Sequence, residues 1–287
     1  MAKNILVAPI LKWVGGKRQL LAEIMPYINK KHTVYVEPFI GGGAVLFELQ
    51  PKKAIINDYN GELINVYRVV KDYPEELIAR LEEHSRNNSE EYFYAIRALD
   101  REPAYEQLSE IDRAARIIYL NKTCYNGLYR VNASGYFNSP YGRYKNPNIV
   151  NEVTIRAVSN YLQSNDVEIK QGDYREVLRD LSKGAFVYLD PPYMPLSPSS
   201  NFTGYTEGGF DFQQQVELKQ ECDKLREKGI AFLQSNSDCP EIRELYAEYE
   251  IITVQAKRHI NSNASKRGEI NEVLIYYGGT KKRTVRK

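Results

Sequence analysis

An α/β fold, a sheet with crossover helices interrupted by a mainly helical insert, is what the sequence predicts. Three observations predict it. Apolar runs of strand length alternate with segments of helical period; a Gly-rich turn stands where one such run gives way to a helix; and the alternation lapses from about Tyr73 to Leu162 before it resumes. In chain order, Leu20, Leu21, Ile24, Tyr27 and Ile28 form a helical stripe, and Val34-Tyr35-Val36 reads as a buried strand. Ala44 to Leu49 reads as a short helix, Ala54-Ile55-Ile56 as the next strand, and Leu63, Ile64 and Tyr67 mark the helix after it. That order is a βαβ nucleotide-binding unit. Within the lapse, Leu77, Ile78 and Leu81 keep helical spacing, and a turn-rich tract follows. Sheet-like runs return at Phe186 to Leu189, Ile230 to Leu233, Ile251 to Val254 and Val273 to Tyr277. The expected division is a sheet domain at 1–72 and 163–287 around an insert at 73–162, with no internal repeat and no long Gly/Ser linker.

Composition fits a soluble enzyme. The chain has 287 residues, 43% of them apolar, and a formal net charge of +2. A nearly neutral chain does not announce a polyanion partner, so any such case rests on local clustering. Three cysteines and three scattered histidines are neither a disulfide framework nor a zinc site. No signal pattern or membrane-length apolar run is present, so a reducing cytoplasm is expected. Tyrosine is abundant at 23 residues against one Trp, and Tyr119, Tyr125, Tyr129, Tyr136, Tyr141 and Tyr144 crowd one stretch. Tyr119 follows Ile117-Ile118 on a helix and reads as core.

The most informative motif is Asp190-Pro191-Pro192-Tyr193, directly after Phe186 to Leu189 and before a polar loop from Met194 to Asp211. Proline fixes φ, lacks an N–H and holds the preceding residue extended, so the acceptors of Asp190 and Pro191 stay available. A carboxylate and a carbonyl side by side suit the two hydrogens of an exocyclic amino group, and the Tyr193 ring suits stacking on the attached base.

The second motif, Glu37-Pro38-Phe39-Ile40-Gly41-Gly42-Gly43-Ala44, lies at a strand-to-helix turn. Its glycines permit a tight bend and close ligand approach, and the helix presents N–H groups. Asp58 ends the next strand, where an acid commonly takes ribose hydroxyls. The spacing is not G-x-G-x-x-G, and Glu37 would repel a pyrophosphate. S-adenosylmethionine fits better than NAD or FAD, because its ammonium and its ribose both favour carboxylates. Lys12-Trp13-Val14-Gly15-Gly16-Lys17-Arg18 forms another Gly turn before a helix, where Lys17 meets a carboxylate and Trp13 covers an adenine or a methionine chain. The tract Asn121 to Arg130, continued by Phe137 to Lys145, interleaves aromatic, amide and basic side chains, the residue types that read base edges and phosphates. Lys257, Arg258, Lys266 and Arg267 resemble a phosphate clamp, and Leu196 to Gly209 reads as a lid. The basic tail from Lys281 reads as a solvated terminus, and Cys124 as a packing residue.

Taken in order, Lys12 to Arg18, Glu37 to Ala44, Asp58, Asn126-Gly127-Leu128, Asn138 to Pro147, Asp190 to Tyr193, Asn201 to Tyr205 and Gln234 to Asn236 resemble the Dam family of DNA adenine-N6 methyltransferases of the D12 class, group alpha, which act on GATC. The resemblance covers about 270 of the 287 residues. It implies a doubly wound S-adenosylmethionine-dependent methyltransferase sheet with an inserted, helical target-recognition domain. Asp190, Pro191, Pro192 and Tyr193 are then the catalytic positions. Trp13, Lys17, Asp58 and Asp190 match the family's cofactor positions, to which the Gly turn itself adds Glu37, Phe39, Gly41 and Gly43. Tyr125, Asn126, Leu128, Arg130, Pro140 and Arg143 match its base-reading and duplex-opening positions, with Lys12 also facing DNA, and the basic loop adds Lys266 and Arg267 as DNA-facing residues. Tyr129 and Ser139 depart from the family's pattern within the reader. The implied partner is double-stranded DNA, met by a monomer or weak dimer, with no membrane and no metal. A cytosine-N4 methyltransferase would be expected to carry Ser or Asn at position 190, an RNA or small-molecule enzyme needs no split recognition domain, and a non-catalytic DNA-binding module needs no cofactor motifs.

Overall fold

A computed structural model of the chain describes residues 3–28, 31–195, 210–257 and 269–279. Seven strands form one sheet: β1 (Tyr35–Glu37), β2 (Lys53–Asp58), β3 (Asp166–Gln171), β4 (Phe186–Leu189), β5 (Ala231–Ser237), β6 (Glu250–Lys257) and β7 (Glu269–Tyr277). Their spatial order is β3-β2-β1-β4-β5-β7-β6, with β3 to β5 mutually parallel and β7 antiparallel to both neighbours. The helices are α1 (Leu21–Ile24), α2 (Ala44–Leu49), α3 (Gly61–Asp72), α4 (Pro74–Asn87), α5 (Glu90–Ala98), α6 (Glu110–Thr123), α7 (Glu152–Ser164), α8 (Tyr174–Arg179), α9 (Phe212–Glu227) and α10 (Pro240–Leu245).

Side chains alternate across a strand, and here both faces are covered. Tyr35, Phe186 and Tyr188 point to one face with the buried residues of α2, α3, α6 and α7. Val36, Val187 and Leu189 point to the other, with α8, α9 and α10. The sheet is therefore doubly wound, as expected. The buried residues of α4, α6 and α7 belong to the same core as those of α3 and β1, and both α6 and α7 pack on α3.

Six strands coincide with the expected runs. The seventh, β3, does not: the sequence reading held no strand between Leu162 and Phe186. β3 lies at the sheet edge, where Asp166, Glu168 and Gln171 face solvent and only Val167 is fully buried. Edge strands carry charge instead of an apolar run, so the Val167-Glu168-Ile169 alternation is the whole signal. The stripe from Leu20 to Ile28 buries Leu20, Ile24 and Ile28 as its spacing demands. It is broken, however, into a 3-10 turn (Lys17–Leu20), α1 and a second 3-10 turn (Met25–Tyr27) containing Pro26.

The chain leaves β1 toward β2 and β3 on one side, and later leaves β4 toward β5 on the other. β1 and β4 are adjacent, with Tyr35 opposite Phe186 and Val36 opposite Val187. In doubly wound sheets the crevice beyond the carboxyl ends at such a switch point is where ligands bind. Glu37 ends β1, and Asp190 follows β4.

Candidate active site

The turn after β1 brings the backbone close to two aromatic side chains. Gly41 and Gly43 have φ of 48° and 69°, values that L side chains adopt only with strain. A Cβ on Gly43 would lie 2.7 Å from the Tyr67 hydroxyl oxygen, and one on Gly41 would lie 3.1 Å from Trp13 Cδ1. The turn is tied to β2: the Gly41 N–H donates to Asp58 Oδ2 at 3.1 Å, and the Asn60 N–H donates to Asp58 Oδ1 at 3.0 Å. Asn60 in turn caps α3 by accepting from the Leu63 N–H. Burial pushes the Asp58 carboxyl up to about 6 against these hydrogen bonds. Phe39 packs on Tyr174 and Phe210, with ring centroids 5.0 and 6.2 Å away. Beyond β3 the Gly172 N–H donates to the Asp58 carbonyl at 3.1 Å, and Asp173 caps α8.

Glu37 is 2% exposed and accepts a hydrogen bond from the Tyr35 hydroxyl at 2.8 Å. Burial, with the charge of Asp190 adding to it, holds its carboxyl well above the usual range. It lies beneath the turn.

Asp190, Lys17 and Tyr193 meet at the carboxyl end of β4. Lys17 Nζ is 2.8 Å from Asp190 Oδ1, donates to the Gly15 carbonyl at 2.6 Å, and lies 4.6 Å from the centroid of the Tyr193 ring. The carboxylate expected opposite Lys17 is thus supplied by Asp190. Burial raises the Asp190 carboxyl to about 6, with the Lys17 ammonium opposing and Glu272 adding to the rise. The Tyr193 hydroxyl donates to Glu272 Oε2 at 2.7 Å, and β7 presents Glu272 opposite Ser237 of β5.

A buried amide network braces the two prolines. Gln215 of α9 donates to the Pro192 carbonyl at 3.0 Å, and Asn236 of β5 donates to Gln215 Oε1 at 2.9 Å. Asn236 Oδ1 accepts from the Met194 N–H at 3.2 Å, and the Ser237 hydroxyl donates to the Met194 carbonyl at 2.7 Å. Gln215 and Asn236 are both fully buried, so each must be satisfied internally, and each is. Among the described residues the Pro191 carbonyl accepts no hydrogen bond. Motif reading missed Gln215, Glu272 and Ser237 because they reach the motif only through the fold.

The tract from Asn121 to Arg130 abuts the first turn. Asn121, at the end of α6, accepts from the Lys12 N–H at 2.9 Å and donates to the Lys12 and Gly127 carbonyls at 2.8 and 3.1 Å. Asn126 turns the chain with φ of 58°, a conformation asparagine tolerates. Tyr125 is 59% exposed beside exposed Pro140, whose carbonyl accepts its N–H. Leu128 is partly buried, and its carbonyl accepts the Ser139 hydroxyl. Arg130 Nε donates to Asn138 Oδ1 at 2.7 Å. Arg143 has φ of 52°, and its guanidinium reaches Glu90 at 3.2 Å. Tyr129 is buried, with its ring stacked on Trp13 at 4.7 Å. Tyr119 and Cys124 are fully buried packing residues. Lys266 and Arg267, the Leu196 to Gly209 segment and the basic tail lie outside the described residues. Among the described residues no helix is long and apolar enough to cross a membrane, and no group of three or more His, Cys, Asp or Glu is placed to hold a metal ion.

Asp190, Lys17 and Tyr193 thus meet at the end of β4, next to a β1 that leads into the Gly turn. A type II methyltransferase, M1.LlaDCHI of Lactococcus lactis subsp. cremoris, is 47% identical over 96% of this chain and 97% of its own. A second, M.MjaIII of Methanocaldococcus jannaschii, is 42% identical over 94% and 98%. A DNA adenine methylase of Escherichia coli K12 is 34% identical over 93% and 94%. The family model for D12 class N6 adenine-specific DNA methyltransferases matches residues 13–260. The chain belongs to this family and is an adenine-specific DNA methyltransferase.

Proposed function

We propose that the enzyme transfers the methyl group of S-adenosylmethionine to N6 of an adenine rotated out of duplex DNA, with GATC as its target. The observation that carries this reading is the Asp190 carboxylate next in chain to a Pro191 carbonyl that accepts no hydrogen bond among the described residues, with the Tyr193 ring beside the Lys17–Asp190 pair at the switch point of the sheet. The donor set fits S-adenosylmethionine. Asp58 ends its strand where a ribose takes carboxylate acceptors, and Trp13 covers the Gly turn. When bound there, the sulfonium supplies an electrophilic methyl group.

Adenine N6 is a poor nucleophile because its lone pair is shared with the ring, and in a duplex it is stacked and paired. Taking it out costs a few kcal/mol, of which stacking on Tyr193 returns about 1–3 kcal/mol. Lys17 holds Asp190 Oδ1, which leaves Oδ2 for one N6 hydrogen while the Pro191 carbonyl takes the other. Both acceptors draw the nitrogen toward tetrahedral geometry and aim its lone pair. As the N6–C bond forms and the methyl–sulfur bond breaks, N6 becomes positive, the Asp190 charge stabilises it, and the nitrogen then sheds one proton by way of that carboxylate to water. Holding both reactants in line supplies most of the acceleration, and no covalent enzyme intermediate is needed.

We assign reading of the duplex to residues 73–162. Arg130 and Arg143 contact guanine, Leu128 and Pro140 pack on a thymine methyl, Tyr125 wedges where the base leaves, and Lys12 and Asn126 complete the contact. Lys266 and Arg267 clamp phosphates. The test is digestion of a treated GATC-containing plasmid by two nucleases that respond oppositely to adenine methylation there. Protection from one and cutting by the other is expected; an unchanged pattern with both contradicts the GATC assignment.

A further inference from the structure

We infer that Tyr129 is a positioning residue that couples cofactor binding to DNA reading through Trp13, an inference that rests on the functional reading above. A chain of contacts runs from the Gly turn to Tyr129. The Trp13 indole lies beside the Gly turn, where a Cβ on Gly41 would come within 3.1 Å of its Cδ1. The indole also stacks on Tyr129, with centroids 4.7 Å apart and planes 21° apart. Tyr129 is 6% exposed, and the Phe137 ring backs it at 5.6 Å. Tyr129 is joined through the backbone to Leu128 and Arg130 of the reader.

Close-packed contacts transmit a displacement instead of absorbing it. A shift of the Gly turn on binding the cofactor therefore moves the indole, then the Tyr129 ring, then the two readers beside it. The same coupling must run backward with equal magnitude, because binding linkage is reciprocal.

Trp13 is the single tryptophan of the chain, so its emission reports the stack directly. The experiment measures the Kd of a short duplex containing one GATC, with and without saturating S-adenosylhomocysteine, together with indole emission. In the wild type the cofactor product tightens the duplex by about fivefold or more, and emission changes when either ligand binds alone. Tyr129→Phe keeps the ring and preserves this factor. Tyr129→Leu binds each ligand separately but loses the factor and the emission response to DNA. An equal factor in the Leu variant and the wild type overturns the inference. So does a wild-type emission that ignores DNA, which decides the matter even if the Leu variant does not fold. Failure of the wild type to bind either ligand is a distinct result, which sinks the functional reading and this inference with it.

Discussion

In the proposed mechanism Asp190 acts as a carboxylate, the stronger acceptor for an N6 hydrogen, and its own environment works against that form. Its carboxyl is raised from 3.8 to about 6 by burial. The sign follows: lowering the pH through about 6 protonates the acceptor, so kcat/KM falls about tenfold per unit on the acid side. A rate profile that stays flat down to pH 5 contradicts the role given to Asp190. Replacing it, Asp190→Ala, abolishes turnover in a labelled-methyl transfer assay while leaving duplex binding within a few fold. Arg130 is held by Asn138 at two points, Nε to Oδ1 at 2.7 Å and an Nη to the carbonyl at 3.4 Å. Arg130→Ala is expected to lose about 1–3 kcal/mol of discrimination, seen as relatively faster methylation of sites with one guanine changed. Asp190, Lys17, Asp58 and the glycines were legible in the sequence because each sits in a short local motif. Gln215 and Glu272 were not. They act across hydrogen bonds between α9, β7 and the Pro192–Tyr193 segment, and no local spacing encodes such a pairing.

At the scale of elements, the turn after β1 and the brace behind Pro192 are the parts under strictest constraint. Gly43→Ala forces a Cβ within 2.7 Å of the Tyr67 hydroxyl oxygen at a φ of 69°. The variant is expected to lose both stability and S-adenosylhomocysteine affinity, read by thermal unfolding and by calorimetric titration; full affinity contradicts the packing described. Asn236→Ala leaves the buried Gln215 oxygen and the Met194 N–H without their partner. Burying such groups unpaired costs about 1–3 kcal/mol, measured as a lower urea midpoint, and the loosened Pro192–Met194 segment lowers kcat more than it weakens DNA binding. The strands buried on both faces were readable as apolar runs. β3 was hidden by its edge charges, and the helical stripe from Leu20 gave the buried face correctly but not the breaks that its short turns introduce.

For the whole molecule, the switch point between β1 and β4 gathers the motifs. The first turn reaches the Gly turn through Trp13, Asp190 through Lys17, and Asn121 through the Lys12 backbone. Residues separated by more than a hundred positions therefore share one crevice, and the core beneath them is continuous from β1 through α6 and α7. In the proposed mechanism this crevice grips the amino group of an extruded adenine between the Asp190 carboxylate and the Pro191 carbonyl. A crystal structure of the enzyme with a GATC duplex and S-adenosylhomocysteine tests that grip. Both oxygens are expected within about 3 Å of N6, with the base stacked on Tyr193. An Asp190 carboxylate turned away from the extruded base contradicts it.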